Sequence, residues 1–119
     1  MTYRGKEMSS VDVNELDGIP VVQFSGDCDE YDAHLLSEQI DALLESGQNT
    51  MIIDLTGTDY ISSKGLGVLT TRHKKCLADK GNMAVVCSDQ RILKVFEITC
   101  LDKLFAVRAS PEDARKALA

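Results

Sequence analysis

The 119-residue sequence contains no Trp, only two Pro and only three Tyr and three Phe. So few aromatics leave little stacking surface for nucleic-acid bases, and the acidic balance argues the same way. Lys and Arg number 13 against 19 Asp and Glu, a formal charge of −6, and no basic stripe is present. Long apolar runs are missing too. The longest, Met83 to Cys87, is five residues, against the roughly 20 that a membrane-spanning helix requires. The first ten residues carry Arg4, Lys6 and Glu7 and lack the apolar core of a secretion signal, so a cytoplasmic protein is expected. Thr2 stands where a myristoylated chain needs Gly. The four cysteines, Cys28, Cys76, Cys87 and Cys100, include no C-x-x-C pair, which excludes a zinc ribbon or dithiol redox site. Each is expected to pack as a small hydrophobe, as in Val85-Val86-Cys87.

What remains is an ordinary globular composition, 44% hydrophobic and 27% charged. The length suits one domain: residues 1–8 read as a short N-terminal extension and residues 9–119 as the domain. Ser10 to Asn14 alternates polar and apolar, the period of a half-buried strand. Asp17-Gly18 suits a tight hairpin turn, and Ile19 to Ser25 reads as the return strand. The period then becomes helical, with Leu36, Ile40, Leu43 and Leu44 on one face, Glu38, Asp41 and Glu45 opposite, and Gly47 as a stop. Met51 to Leu55 and Met83 to Cys87 are short apolar strands. Between them a helix is expected from Lys64 to Lys80, with Leu66, Leu69, Cys76 and Leu77 inward. Gln90 to Ile98 reads as a helix, Leu104 to Val107 as a strand, and Ser110-Pro111-Glu112-Asp113 as the capped start of a last helix. The expected order is β-β-α-β-α-β-α-β-α, an α/β fold with a mainly parallel sheet opened by an antiparallel hairpin.

In such sheets functional groups collect beyond the carboxyl ends of the strands. Two loops are expected there, Gly26 to Asp29 and Thr56 to Gly67. The second brings Ser62 and Ser63 to a helix start, where backbone N–H groups lack internal partners. A plain helix cap explains either serine. A phosphorylatable serine is the alternative, since a helix N-terminus accommodates an anion. Gly65 and Gly67 permit close approach there, either by a partner or by the underlying sheet.

The segments Met51-Ile-Ile-Asp-Leu55, Tyr60-Ile-Ser-Ser-Lys-Gly-Leu-Gly-Val-Leu69 and Met83-Ala-Val-Val-Cys87, with Gly26-x-x-Asp29 ahead of the first helix, resemble a STAS domain. The likeness runs from about Ser9 to Leu118 and points toward bacterial anti-sigma factor antagonists. It implies a partner switch. The unmodified protein would bind an anti-sigma factor with serine kinase activity, phosphorylation would release it, and a metal-dependent serine phosphatase would reset it. The position matching the phosphoacceptor is Ser63, with Ser62 as the adjacent second candidate. The implied docking surface comprises Asp27, Asp29, Thr56, Tyr60, Ser62, Lys64, Gly65 and Leu66. The chain departs from the family pattern in having Ser62 in place of an acid and Lys64 in place of a second hydroxyl residue. No catalysis, cofactor or metal is implied, and a monomer is expected.

Other readings are a STAS scaffold that binds a partner by shape without modification, or a receiver domain using an aspartyl phosphate. The receiver requires clustered strand-end acids and a Lys after the last strand; here Asp54 precedes Leu55 within its strand, and Arg108 follows the last one. Hydrolysis lacks a G-x-S-x-G elbow and has only His34 and His73 as bases. Gly65-x-Gly67 continues to Thr70 rather than a third glycine, and no phosphate-binding G-x-x-x-x-G-K is present.

Overall fold

A computed structural model describes residues 9–118. The hairpin comprises β1 (Ser10–Leu16) and β2 (Ile19–Cys28), paired antiparallel in register from Ser10↔Ser25 to Leu16↔Ile19. Asp17 and Gly18 both take positive φ at its turn, the backbone twist that a two-residue connection requires. Then follow α1 (Ala33–Glu45), β3 (Thr50–Asp54), β4 (Thr58–Ile61) and α2 (Ser63–Ala78). The chain continues through β5 (Asn82–Val86), α3 (Gln90–Ile98), a 3₁₀ turn (Leu101–Lys103), β6 (Ala106–Arg108) and α4 (Pro111–Leu118). The sheet order is β1-β2-β3-β5-β6, with β4 beside β2 and every pairing after the hairpin parallel.

The expected α/β architecture is present, with one element more. The stretch Thr58–Ile61, read from sequence as loop, is a strand. Its burial runs buried, exposed, exposed, buried, so the two-residue alternation that betrays a strand is absent. Gly26 to Cys28, also read as loop, continues β2. The strand changes partner along its length: Val21, Val22 and Gln23 pair with β3, while Gly26, Asp27 and Cys28 pair with β4. A bulge between Gly26 and Asp27 makes the change. Gly26 has φ +98, and a side chain there would crowd Ser9 at 3.0–3.1 Å, so a left-handed residue without Cβ fits the kink.

The sheet separates two apolar layers. On one face, Val22, Phe24, Met51, Ile53, Met83 and Val85 pack with Leu36 and Ile40 of α1, Val68, Leu69 and Cys76 of α2, and Ile92 and Phe96 of α3. On the other, Val21, Ile52, Ala84 and Val86 pack with Ala114 of α4. Each fully buried large aliphatic side chain contributes about 1.5–3 kcal/mol. Arg72 clasps Asp41 through two N–H donors at 3.0 and 2.9 Å, tying α2 to α1. The pair is partly exposed and is worth no more than about 1 kcal/mol.

Three sequence expectations are corrected at the margins. Leu77 is 47% exposed rather than inward, because it lies on the flank of α2 beside Cys76 rather than over the sheet. Cys100 is exposed, at a left-handed residue that ends α3, whereas the other three cysteines are buried. The last strand is Ala106–Arg108, since Leu101–Lys103 is drawn into a 3₁₀ turn and Leu104 follows it outside the sheet.

Candidate functional site

The candidate site lies where β2 and β4 end together. The Ser62 N–H donates to the Cys28 carbonyl at 2.8 Å, a bond that joins the acidic stretch after β2 to the start of α2. Ser62 then takes an extended conformation as N-cap, and its Oγ accepts from the Gly65 N–H at 3.1 Å. Its carbonyl accepts from Leu66 at 3.0 Å. Ser62 is buried, with 6% of its surface exposed. The next residue, Ser63, begins the helix and is exposed. The two adjacent hydroxyl residues therefore occupy opposite settings, one inside as a cap and one in solvent at the positive end of a 16-residue helix.

Gly65 fixes how closely α2 approaches the sheet. A methyl there would meet Cys28 Sγ and Ile61 Cγ1 at 2.9 Å each, closer than packed carbon atoms tolerate. Gly67, in contrast, is exposed with open space around its missing side chain, so close packing accounts for Gly65 and not for Gly67. Burial pushes the Cys28 thiol up to about 12, with the negative charges of Asp29 and Asp32 adding to the effect. Cys28 is a neutral packing group at ordinary pH and not a nucleophile.

Among the remaining sequence candidates, the Asp29 carboxylate accepts from the Asp32 N–H at 2.8 Å and its carbonyl accepts from Ala33 at 3.0 Å. It thereby organises the entry to α1. Asp27 lies opposite Tyr60 in the β2–β4 pairing. Tyr60 is 52% exposed. Lys64 is exposed beside Ser63, and Leu66 is half-buried against the core. Thr56 is exposed, with its N–H and hydroxyl both donating to Asp54 Oδ1, at 2.9 and 2.5 Å. Asp54 itself is 5% exposed and also accepts from Gln23 through Oδ2 at 3.3 Å, so its carboxylate is engaged in shaping the β3–β4 turn. Ser62 and Gly65, being buried, shape the surface from beneath.

Both histidines are engaged by other partners. His34 donates from Nδ1 to the Tyr31 carbonyl at the start of α1. His73 lies 2% exposed in the core, donates from Nε2 to Asn82 Oδ1 at 3.0 Å and packs on Phe105 with ring centroids 4.7 Å apart. No group of three or more His, Cys, Asp or Glu side chains suited to a metal exists among the described residues.

Sequence reasoning passed over the start of α3. Asp89 caps it, accepting from the Arg91 N–H at 2.8 Å, and its carboxylate is also gripped by the Arg91 guanidinium at 3.1 and 2.7 Å. These hydrogen bonds hold the Asp89 carboxyl at about 2. Arg91 also feels the charges of Asp59 and Asp27, which places its cation at the same edge as the serine site. The position was recoverable: Asp89 lies three residues beyond the end of β5, a central parallel strand, where functional groups gather.

Known proteins share this fold. A curated anti-sigma-B factor antagonist from Bacillus subtilis is 29% identical over 103 residues, 87% of this chain and 94% of that one. The anti-sigma-F factor antagonist RsfB of Mycobacterium tuberculosis is 25% identical over 105 residues, 88% of this chain and 85% of that one. The crystal structure of an anti-sigma factor antagonist from Mycobacterium paratuberculosis superposes with a TM-score of 0.85 at 28% identity, covering 93% of this chain and 94% of its own. The STAS domain family model matches residues 10–114, nearly the whole described fold, and the chain belongs to the STAS domain family.

Proposed function

We propose that this chain is an anti-sigma factor antagonist that works by partner switching. As a member of its family it is a regulatory binding domain and not an enzyme. In its unmodified form it binds an anti-sigma factor with serine kinase activity, through the edge built by the ends of β2 and β4 and the first turn of α2. The kinase transfers the γ-phosphoryl group of ATP to Ser63 Oγ, leaving ADP and a phosphoserine, and a metal-dependent serine phosphatase hydrolyses the ester. The observation that carries this reading is the division of labour between the two serines: Ser62 is buried as the cap while Ser63 is exposed.

The physical consequence of modification is local. Phosphorylation adds a charge of about −1.5 to −2. The N–H groups and dipole of α2 favour an anion at this end, so the domain itself survives the change. A partner surface seated over Ser63 would have to desolvate that charge, which costs far more than desolvating a hydroxyl. Docking is lost while the fold persists.

The test is incubation of the purified chain with ATP and the serine kinase of its own partner-switching system, followed by mass spectrometry. One phosphate on Ser63 is expected, with no label on Ser63→Ala and with kinase binding retained by that variant. Label confined to Ser62, or phosphorylated protein that binds the kinase as tightly as unmodified protein, would overturn the proposal.

A further inference from the structure

Tyr31 has no part in the site as read from sequence, yet it is the most exposed large hydrophobic side chain among the described residues, with 83% of its surface in water. It stands between Asp29 and α1, three residues beyond the Cys28 carbonyl that receives the Ser62 N–H. Tyr60, 52% exposed, stands three residues before Ser63 and opposite Asp27 across the β2–β4 pairing. A solvent-exposed phenol thus lies on each of the two chain segments that the Ser62–Cys28 hydrogen bond joins. Tyrosine is a strong anchor at protein interfaces because a large ring is buried at the cost of only two side-chain torsions, and its hydroxyl remains able to hydrogen-bond.

The charge around the pair is mixed but acidic on balance. Asp27, Asp29, Glu30 and Asp32 lie in residues 27–32 and Asp59 adjoins Tyr60, against Lys64 and an Arg91 already paired with Asp89. We propose that Tyr31 and Tyr60 are the two anchors by which this face holds its kinase, and that the kinase offers ring-sized pockets rimmed by Lys or Arg. The acidic rim speeds encounter with such a surface and disfavours acidic ones, while the two rings set how long the complex lasts. This inference rests on the partner-switching reading and adds to it the residues that carry affinity and the chemistry of the face that receives them.

The experiment is calorimetric titration of the purified kinase, the one used to label Ser63, with wild-type chain, Tyr31→Ala, Tyr31→Phe and Tyr60→Ala. Ile98→Ala, which removes another exposed apolar side chain at the far end of α3, serves as control. Each Tyr→Ala variant is expected to weaken binding by about tenfold or more, with Tyr31→Phe and Ile98→Ala close to wild type. Stopped-flow association is expected to slow as salt is raised. Circular dichroism checks folding, and Tyr31→Gln repeats the test with a polar side chain. Wild-type affinity in both Tyr→Ala variants would overturn the anchors, and salt-independent association would overturn the basic rim; Ser63 labelling would persist in either case, leaving the partner switch intact. A kinase that neither binds nor labels the wild-type chain would remove both proposals together.

Discussion

The starts of α2 and α3 lie at the same edge of the sheet and solve the same problem, unpaired N–H groups at a helix end, in opposite ways. At α3 the cap is a carboxylate, Asp89, already charged and already matched by Arg91. At α2 the cap is a neutral buried hydroxyl, no acid lies in the first turn, and Lys64 follows. One helix end carries a permanent anion with its counter-ion. The other keeps its positive end available and places an exposed hydroxyl beside it. The lesson is that a reversible negative charge can be accommodated at α2 because none is built in, whereas a second anion at α3 would have to displace an existing pair.

Four measurements would break or sharpen this contrast. The largest effect is expected from Gly65→Ala, which forces a methyl to within 2.9 Å of Cys28 and Ile61 and should destabilise the fold by about 1–3 kcal/mol in urea unfolding. A wild-type midpoint would mean that α2 is not held as closely as described. Ser62→Ala strips the α2 cap and leaves the Gly65 N–H without its acceptor, a loss of about 1–2 kcal/mol on the same assay.

Ser63→Ala should shift stability by less than about 0.5 kcal/mol, since its side chain is in solvent. A large loss there would place Ser63 in the structural role assigned to Ser62. The smallest effect concerns acid. The Asp89 carboxyl sits at about 2 when folded, below its ordinary 3.8, so its stabilising share is complete above about pH 4 and fades as pH falls toward 2. Asp89→Asn should flatten that portion of the stability profile, while Ser63→Ala leaves it unchanged.

Much of this arrangement is written locally in the chain. The bounds of α3 follow from the placement of Ile92, Val95 and Phe96 at helical spacing, and the hairpin follows from Asp17-Gly18. Ser110 caps α4 as its position suggests, accepting from the Asp113 N–H at 3.2 Å. What escaped is what depends on distant partners. Thr58–Ile61 becomes a strand because β2 runs past β3 and offers it an edge, and Thr58 is buried because its hydroxyl donates to the Phe24 carbonyl at 2.8 Å. No neighbour in sequence announces that bond. The candidate site was legible as a hydroxyl pair preceding a helix, but the difference in burial between Ser62 and Ser63 emerges only when α2 is docked. Tyr31 and Arg91 were passed over for the same reason: each comes to the edge near the serines through tertiary placement, not through a motif.

The bulged handover in β2 gives the edge an unusual mechanical footing. A strand that is laced to β1 on one side and to β3 and then β4 on the other makes the platform under Ser63 continuous with the most deeply buried part of the molecule. Amide exchange at the buried Cys28 should accordingly be as slow as in the central strands, with or without phosphate. What a partner senses would then be a change in electric field over a stiff anvil, delivered without any refolding of the surface it touches.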